Sequence, residues 1–193
     1  MPAQITPPPA PGEATSPALA LVNTEVAPQG RPVDLIPDGP TLFGWMRTRG
    51  LTHRGAGPIA DQDLDRMRTL RSAIRVAFTA RAGGQRAPRS AIEAINEAAA
   101  LASSMPRLRW AADRPTRETV WVPSASATDT ALAEIASNAI STLLGDRGDR
   151  LRLCEAHDCS RMFIADHRRR RWCSQTCGDR MRVARHRKVN RTR

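Results

Sequence analysis

Apolar residues recur at helical spacing over much of the chain, most clearly between residues 61 and 84. Asp61 or Asp63 can cap a helix there, and Gly83-Gly84 can end it. The apolar positions follow one another at intervals of three and four, which places them on one helical face. They are Leu64, Met67, Leu70, Ile74 and Phe78. The pattern predicts a long helix with one buried face.

Three further segments have the same character. Thr41 is the expected N-cap of a short helix that stops at Gly50. Pro88 and Ser90 open the next helix, whose inward face is predicted to hold Ile92, Ile95 and Ala99. A last helix is expected from about residue 128 to residue 144. Its predicted buried face consists of Leu132, Ile135, Ala139 and Leu143.

The apolar period changes to two in one short part of the chain. Leu108-Arg-Trp110 and Glu118-Thr-Val-Trp-Val122 alternate or are β-branched, and Asp113-Arg-Pro-Thr-Arg117 between them is turn-like, so we expect a β-hairpin. Nearer the start, the apolar run Leu19-Ala-Leu-Val22 precedes turn-rich sequence that continues to Ile36. Two short strands or one irregular helix fit this segment equally well.

Composition favours helices as the main architecture. Aromatic residues make up 4% of the 193 residues and tyrosine is absent, so aliphatic and alanine side chains must do most of the packing. Residues 1–17 contain six prolines, and such a segment cannot bury enough surface to offset its chain entropy. We therefore predict a mainly α (α+β) fold in three parts. These are a disordered leader over 1–17, an alanine-rich helical domain over 18–148, and a small module over 150–193.

Positive charge is concentrated in the C-terminal module. Residues 1–149 hold 16 arginines and 15 acidic residues, whereas residues 150–193 hold 14 basic and four acidic residues, so the net charge of +11 divides as +1 and +10. A charge density of this kind attracts polyanions. A solvated tail is the alternative interpretation.

Neither a targeting segment nor a membrane segment is indicated. No basic residue precedes Arg31, no uninterrupted apolar run opens the chain, and no stretch approaches the roughly 20 apolar residues of a membrane span. We expect a cytoplasmic protein without a membrane partner. Nothing in residues 18–148 has the spacing of catalytic groups, so we expect no enzyme and no catalytic residues.

All the cysteines of the chain lie in the basic module, with the spacing C-x4-C-x13-C-x3-C. They are Cys154, Cys159, Cys173 and Cys177. In a reducing compartment such a cluster binds metal more often than it forms disulfides. Four thiolates close a tetrahedral shell and leave no position for a substrate, so we predict one structural Zn2+. A redox dithiol and an iron–sulfur cluster are the alternatives.

Basic side chains flank these cysteines on both sides. Four consecutive arginines precede Trp172, and Ser174 can cap a helix that holds Cys177 in its first turn and is basic on most sides beyond it. Phe163 and Trp172 are expected to form a miniature core beside the metal, with base stacking as the alternative for Trp172. Arginine binds phosphate in a bidentate fork. The predicted nucleic-acid-binding surface comprises Arg168, Arg169, Arg170, Arg171, Arg180, Arg182, Arg185, Arg187, Lys188 and Arg191.

The segment Trp172-Cys-Ser-Gln-Thr-Cys-Gly-Asp-Arg180 resembles the signature of the bacterial CGNR zinc-finger family. Members of that family carry an alanine-rich N-terminal region called the ABATE domain, which Leu21-Val-Asn-Thr24 and Val33-Asp-Leu35 resemble. The resemblance implies a stress-related transcriptional regulator. Asp179 stands where the family has asparagine, and an aspartate cannot donate to a base. A structural role at the start of the helix, beside Arg180, suits Asp179 better.

These observations favour a DNA-binding transcriptional regulator. The finger would hold the duplex, and the helical domain would form a homodimer or bind a small-molecule effector. An RNA-binding or ribosome-associated protein fits the same charge pattern. A zinc-stabilised protein–protein adaptor is the third possibility.

Overall fold

The computed structural model describes residues 8–27, 30–52, 57–111, 114–121 and 125–191. Within these residues the chain forms seven helices, a short 3-10 helix and three two-stranded antiparallel sheets. The helices are α1 Pro17–Val22, α2 Gly39–Thr48, α3 Asp61–Ala82, α4 Arg89–Ala100, α5 Ala127–Leu144, α6 Asp146–Asp149 and α7 Gln175–Arg191. The strands are β1 Glu25–Val26, β2 Val33–Asp34, β3 Ser104–Ala111, β4 Arg114–Trp121, β5 Leu151–Leu153 and β6 Met162–Ile164. The mainly helical fold with small hairpins that the sequence predicts is confirmed.

The main core lies between α1, α3, α4 and α5. Every residue of the predicted apolar face of α3, from Leu64 to Phe78, is buried there. The prediction for α4 is wrong in part: Ala91 and Ile95 are buried, whereas Ile92 is 42% exposed. Residues 91 and 95 are one turn apart, so the buried face of α4 is centred one residue earlier than the sequence pattern indicates.

The start of α2 also differs from the prediction. Asp38, and not Thr41, is the N-cap, because the Asp38 carboxylate accepts a hydrogen bond of 2.8 Å from the Thr41 N–H. Hydrogen bonding from the Thr41 side chain and then from this N–H lowers the pKa of Asp38. The N-cap of α5 is Ser126, whose hydroxyl accepts from the Asp129 N–H at 3.0 Å.

The first part of the chain is more ordered than its proline content predicts. The predicted leader over 1–17 is wrong for residues 10–17, which pack against the rest of the protein, while residues 1–7 lie outside the described residues. Ala10, Glu13 and Ser16 are buried, and the Pro11 carbonyl accepts a hydrogen bond of 2.9 Å from the Ile164 N–H. The composition argument failed because Glu13 finds a buried cationic partner far along the chain, described below.

The two alternatives for the segment 19–36, two short strands or one irregular helix, are each partly right. Leu19 to Val22 belong to α1, which Ser16 caps by accepting a hydrogen bond from the Leu19 N–H at 3.2 Å. Two short strands follow, in which Glu25 pairs with Asp34 and Val26 with Val33.

A β-hairpin forms where the period-two pattern predicts it. Strand β3 pairs with β4 from Ser104 opposite Trp121 to Ala111 opposite Arg114. The turn predicted over residues 113–117 is wrong for residues 114–117, which belong to β4 and pair with β3. Residues 112–113 and Val122 lie outside the described residues. We call β3 and β4 together the ribbon.

Strand β6 joins the helical domain to the cysteine module. Its neighbours in the sheet are Leu151, opposite Ile164, and Leu153, opposite Met162. Because successive side chains of a strand point to opposite faces, Met162 and Ile164 enter the helical core while Phe163 enters the core beside the cysteines. The two cores therefore share the backbone of one strand.

No helix among the described residues is long and apolar enough to cross a membrane.

Candidate metal centre and nucleic-acid interface

The four cysteines are positioned by the hairpin β5–β6 and by the start of α7. Cys154 follows β5, and its N–H donates to the Arg161 carbonyl at 3.0 Å, so the chain folds back into β6 immediately after Cys159. A turn between the two is closed by Asp158 in the left-handed region, at φ 60°. Cys177 lies in the first turn of α7, where its N–H donates to the Ser174 hydroxyl at 3.2 Å. The predicted Ser174 cap is confirmed.

The sulfur atoms have the geometry of a tetrahedral zinc site. All four Sγ atoms lie within 4.8 Å of one another. The Cys159 and Cys173 sulfurs are 3.8 Å apart, and those of Cys173 and Cys177 are 3.7 Å apart. A Zn–S bond of about 2.3 Å in a regular tetrahedron places the sulfurs about 3.8 Å from each other. The donor set therefore fits one structural Zn2+, with every ligand supplied by the protein.

Hydrogen-bond donors lie close to the sulfur atoms of this site. In the thiol form, hydrogen bonds from Cys159 and then Cys173 lower the pKa of Cys154, while donating to Cys154 raises the pKa of each of those two thiols. The Cys173 N–H also donates to the Cys154 sulfur at 3.3 Å. On the other side, Arg180 reaches the Cys177 sulfur at 3.4 Å. Backbone and guanidinium donors thus offset part of the negative charge that four thiolates bring to one ion.

The predicted miniature core surrounds this site. Phe163 is fully buried against Cys154, Cys173 and Cys177, and Trp172 packs at the edge of the same cluster. Gly178 leaves the space that the indole ring occupies, because a Cβ there would lie 3.2 Å from Cε3 of Trp172. The contact favours the packing role of Trp172 over base stacking. It also explains why a glycine follows the last cysteine.

Four of the predicted nucleic-acid-binding arginines have internal partners. Arg170 donates to Asp166 at 2.8 Å and to the Trp172 carbonyl at 3.1 Å. Arg171 pairs with Glu155, whose carboxylate raises the pKa of Arg171. The backbone joins the same elements, since the Glu155 N–H donates to the Arg171 carbonyl at 3.0 Å. These contacts hold the loop 166–171 against the first cysteine pair.

The other two arginines that have internal partners lie on α7. Arg180 contacts the Cys177 sulfur, as described above, and Arg182 pairs with Asp179. Asp179 is adjacent to Arg180 in the sequence, but its ion pair in the structure is with Arg182. One helical turn separates residues 179 and 182, so the carboxylate and the guanidinium meet on the same face, whereas adjacent residues point about 100° apart.

Four more arginines are exposed and form no ion pair within the part of the chain that the structure describes. They are Arg168, Arg169, Arg185 and Arg187. We call these residues the open arginines. Lys188 and Arg191 belong to α7, but their side chains lie outside the described part. The predicted surface therefore divides into arginines that contact other groups of the module and arginines that form no ion pair among the described residues.

A buried polar network links the module to the helical domain, and the sequence did not reveal it. The Asn23 side chain donates to the Met162 carbonyl at 2.8 Å and accepts from the Met162 N–H at 2.9 Å, as a neighbouring strand would. Its amide also donates to Glu13 at 2.5 Å. Glu13 in turn pairs with Arg161 at 2.7 Å, and both side chains are 6% exposed.

Arg75 of α3 strengthens the same junction. Its guanidinium donates to the carbonyls of Val22, Glu25 and Ser160 at 2.5, 2.9 and 3.0 Å. Burial lowers the pKa of Arg75. Ser160 lies directly after the first cysteine pair, so the helical domain holds the zinc site through backbone groups just before β6, at Ser160, and within it, at Met162. The sequence signal for this network was Asn23 within Leu21-Val-Asn-Thr24, for which a turn or cap residue and a ligand contact fit equally well.

Two family models match the chain. The ABATE model, described as "putative stress-induced transcription regulator", matches residues 15–146. The model of the CGNR zinc finger matches residues 150–189. No curated protein matches the chain. The two families and their order agree with the resemblance found in the sequence.

Proposed function

The chain belongs to the ABATE family and carries a CGNR zinc finger, and on that basis we propose that it is a transcriptional regulator that binds duplex DNA. The observation that carries the proposal is the set of open arginines on both sides of the zinc site. They present four charges with no ion-pair partner in the described part of a module whose net charge is +10.

The zinc site supports this role by fixing the two elements that bear the open arginines. The loop 166–171 leads directly into Cys173, and α7 begins just before Cys177. The ion pairs of Arg170 and Arg171 hold the loop in place, so Arg168 and Arg169 project from an ordered segment. Ordered guanidinium groups lose less conformational entropy when they bind phosphate than mobile ones do. Structural zinc thereby contributes to affinity without touching the DNA.

The helix α7 has the shape of an element that enters a groove. Its 17 residues extend about 25 Å at 1.5 Å per residue. From Arg182 to Arg187 every residue is exposed, including Val183 at 50%. The major groove of B-DNA accepts an α-helix, whereas the major groove of A-form RNA is too deep and narrow for side chains to read. An exposed basic helix therefore favours duplex DNA over duplex RNA as the partner.

The helical domain supplies a second part of the proposal. One small finger cannot specify a genomic site, because each well-read base contributes only about 1 to 3 kcal/mol. We propose that this domain dimerises the protein or binds an effector. An apolar cleft of about 260 Å³ between α3, α4 and α5 offers a place for either, with Ile92, Ile95 and Ile140 in its wall. We propose a structural and not a catalytic role for the zinc, since the cysteine shell leaves no position for a substrate.

Competition between nucleic acids tests the proposal. Zinc-loaded protein is bound to a labelled 30-base-pair duplex, and unlabelled duplex DNA or structured RNA is added in separate titrations. We expect duplex DNA to displace the probe at lower concentration. Displacement by RNA at a concentration at least tenfold lower would replace the DNA proposal with an RNA-binding function.

Matched variants test which arginines make the contact. Arg168→Ala with Arg169→Ala should weaken DNA binding and leave the zinc content unchanged. Arg170→Ala with Arg171→Ala should also speed the loss of zinc, because the loop beside Glu155 is then released. Arg47 and Arg86 are exposed, have no ion pair among the described residues, and provide the charge-matched control. Equal losses in the first variant and the control would contradict the assignment.

A further inference from the structure

The ribbon stands apart from the rest of the molecule. Within the described residues, β3 and β4 make extensive contacts with each other and few with any other element. Three of their apolar side chains are exposed: Met105 at 56%, Leu108 at 72% and Trp110 at 68%. An isolated two-stranded hairpin is marginally stable in water. A ribbon with this exposure is therefore suited to a partner that covers it.

The register determines what each face of the ribbon presents. Residues directly opposite each other lie on the same face. One face bears Leu108, Trp110 and their partners Arg117 and Pro115. The other face bears Arg107, Arg109 and Arg114, of which Arg109 pairs with Glu118 at 3.3 Å. Arginines thus lie on both faces, Leu108 and Trp110 share one face, and Met105 lies on the other, opposite Val120.

Charge distinguishes the ribbon from the domain that carries it. Residues 104–121 contain four arginines and two acidic residues, a net charge of +2. The other residues of the segment 1–149 contain 12 arginines and 13 acidic residues, a net charge of −1. Arg107, Arg114 and Arg117 are exposed and have no ion pair among the described residues. The ribbon is a local basic surface on a domain that is otherwise slightly acidic.

We propose that the ribbon is a second contact with duplex DNA, separate from the zinc finger. This inference rests on the proposed function and extends it to a part of the ABATE domain. Eight residues per strand give a ribbon about 27 Å long at about 3.4 Å per residue. The major groove of B-DNA, about 12 Å wide, accepts a two-stranded ribbon. Arginines on both faces meet the phosphates of both groove walls.

Two prolines argue against a second copy of this chain as the partner. Each strand of the ribbon is an edge strand, and each contains a proline, Pro106 in β3 and Pro115 in β4. Proline lacks the N–H that a further strand would need, and prolines on edge strands block sheet extension. Packing of two apolar faces would also bring Arg117 of both copies close together beside Leu108. The phosphates of duplex DNA would attract these arginines, whereas the arginines of a second ribbon would repel them.

The test compares three variants of the full-length, zinc-loaded protein. The ribbon variant carries Arg107→Ala, Arg114→Ala and Arg117→Ala, and the finger variant carries Arg168→Ala and Arg169→Ala. The control carries Arg31→Ala, Arg47→Ala and Arg86→Ala, which remove three exposed arginines without an ion pair among the described residues. Anisotropy of a labelled 30-base-pair duplex gives the affinity as a function of salt. The ribbon makes few contacts with other elements, so these substitutions should leave the fold intact. Circular dichroism and zinc content check this.

The expected result is a flatter salt dependence for the ribbon variant. Each phosphate contact contributes about 0.9 to the log–log slope, so the loss of two or three contacts lowers its magnitude by about 2 to 3. The control should keep the slope of the wild type. Because the two surfaces are separate, the effects of the ribbon and finger variants should add.

The outcomes separate this inference from the proposed function. If the finger variant loses affinity and the ribbon variant does not, the second contact is refuted and the DNA-binding function stands. If the wild type binds no duplex, both are refuted. A ribbon that joins two copies instead would leave the slope unchanged, and Leu108→Ser with Trp110→Ser would then shift a dimer to a monomer in sedimentation.

Discussion

Replacement of Asn23 by alanine should destabilise the helical domain and the zinc site together. The Asn23 side chain is buried and satisfies both backbone groups of Met162. Met162 is fully buried, so its N–H and C=O would be left without partners in the variant. Glu13 would lose one hydrogen bond and keep Arg161. The change therefore affects the strand that both cores share.

The size of the effect follows from these lost contacts. Each buried polar group without a partner costs about 1 to 3 kcal/mol, so the two groups of Met162 and the weakened Glu13 site together give about 3 to 5 kcal/mol. Stabilities of domains are about 5 to 15 kcal/mol, so the variant should remain folded at low temperature. Its Tm should fall by roughly 10 °C.

Two assays check this prediction. Urea denaturation followed by circular dichroism gives the free energy of unfolding, and transfer of zinc to a coloured chelator gives the rate of metal release. Asn96→Ala is the matched control, since Asn96 is exposed on α4 and its replacement should change stability by less than about 0.5 kcal/mol. A loss below about 1 kcal/mol for Asn23→Ala would refute the network as the source of stability. Zinc release at the wild-type rate would refute the coupling.

Three further predictions concern the contacts around strand β6 and the zinc finger. Gly12→Ala should cost about 2 kcal/mol, because φ is +93° and the new Cβ would lie 2.8 Å from Cδ1 of Ile164. Thermal denaturation measures it, with Gly44→Ala as control, where a Cβ meets nothing within 4 Å. Asp179→Asn should change DNA affinity by less than about twofold, since its pair with Arg182 is exposed and contributes little; a uniform tightening of about fivefold would place Asp179 against the DNA backbone. Chelation of zinc should lower the Tm of the helical domain, because β5 and β6 contribute to its core; an unchanged Tm would show that the finger is an independent module.

Local patterns were sufficient to predict the helices and the metal ligands. The apolar face of α3 repeats within one element, and the cysteine spacing alone determines that two close pairs converge on an ion. Ser174 was also predictable as a cap, because its partner Cys177 lies three residues away. Most predictions that depend on contacts within a few residues agree with the structure. The exceptions include Thr41, which Asp38 replaces as the N-cap of α2, Ile92, which is exposed on α4, and the predicted turn, most of which belongs to β4.

Contacts between distant residues could not be predicted in this way. Glu13 and Arg161 are 148 residues apart, and nothing in a proline-rich segment indicates that its one acidic residue is buried. For the same reason the sequence could not show which arginines are open. Arg171 is used internally because Glu155 lies opposite it in the folded module, 16 residues away in the chain. Charge counting treats both kinds of arginine alike.

The central claim is that open arginines beside a structural zinc bind duplex DNA. Its most direct test is the dissociation constant of a 30-base-pair duplex at several salt concentrations, for the zinc-loaded wild type, for Arg168→Ala with Arg169→Ala, and for the Arg47→Ala, Arg86→Ala control. We predict that the finger variant lowers the magnitude of the log–log slope by about 2, at about 0.9 per phosphate, while the control matches the wild type. A finger variant with the slope and affinity of the wild type would contradict the claim.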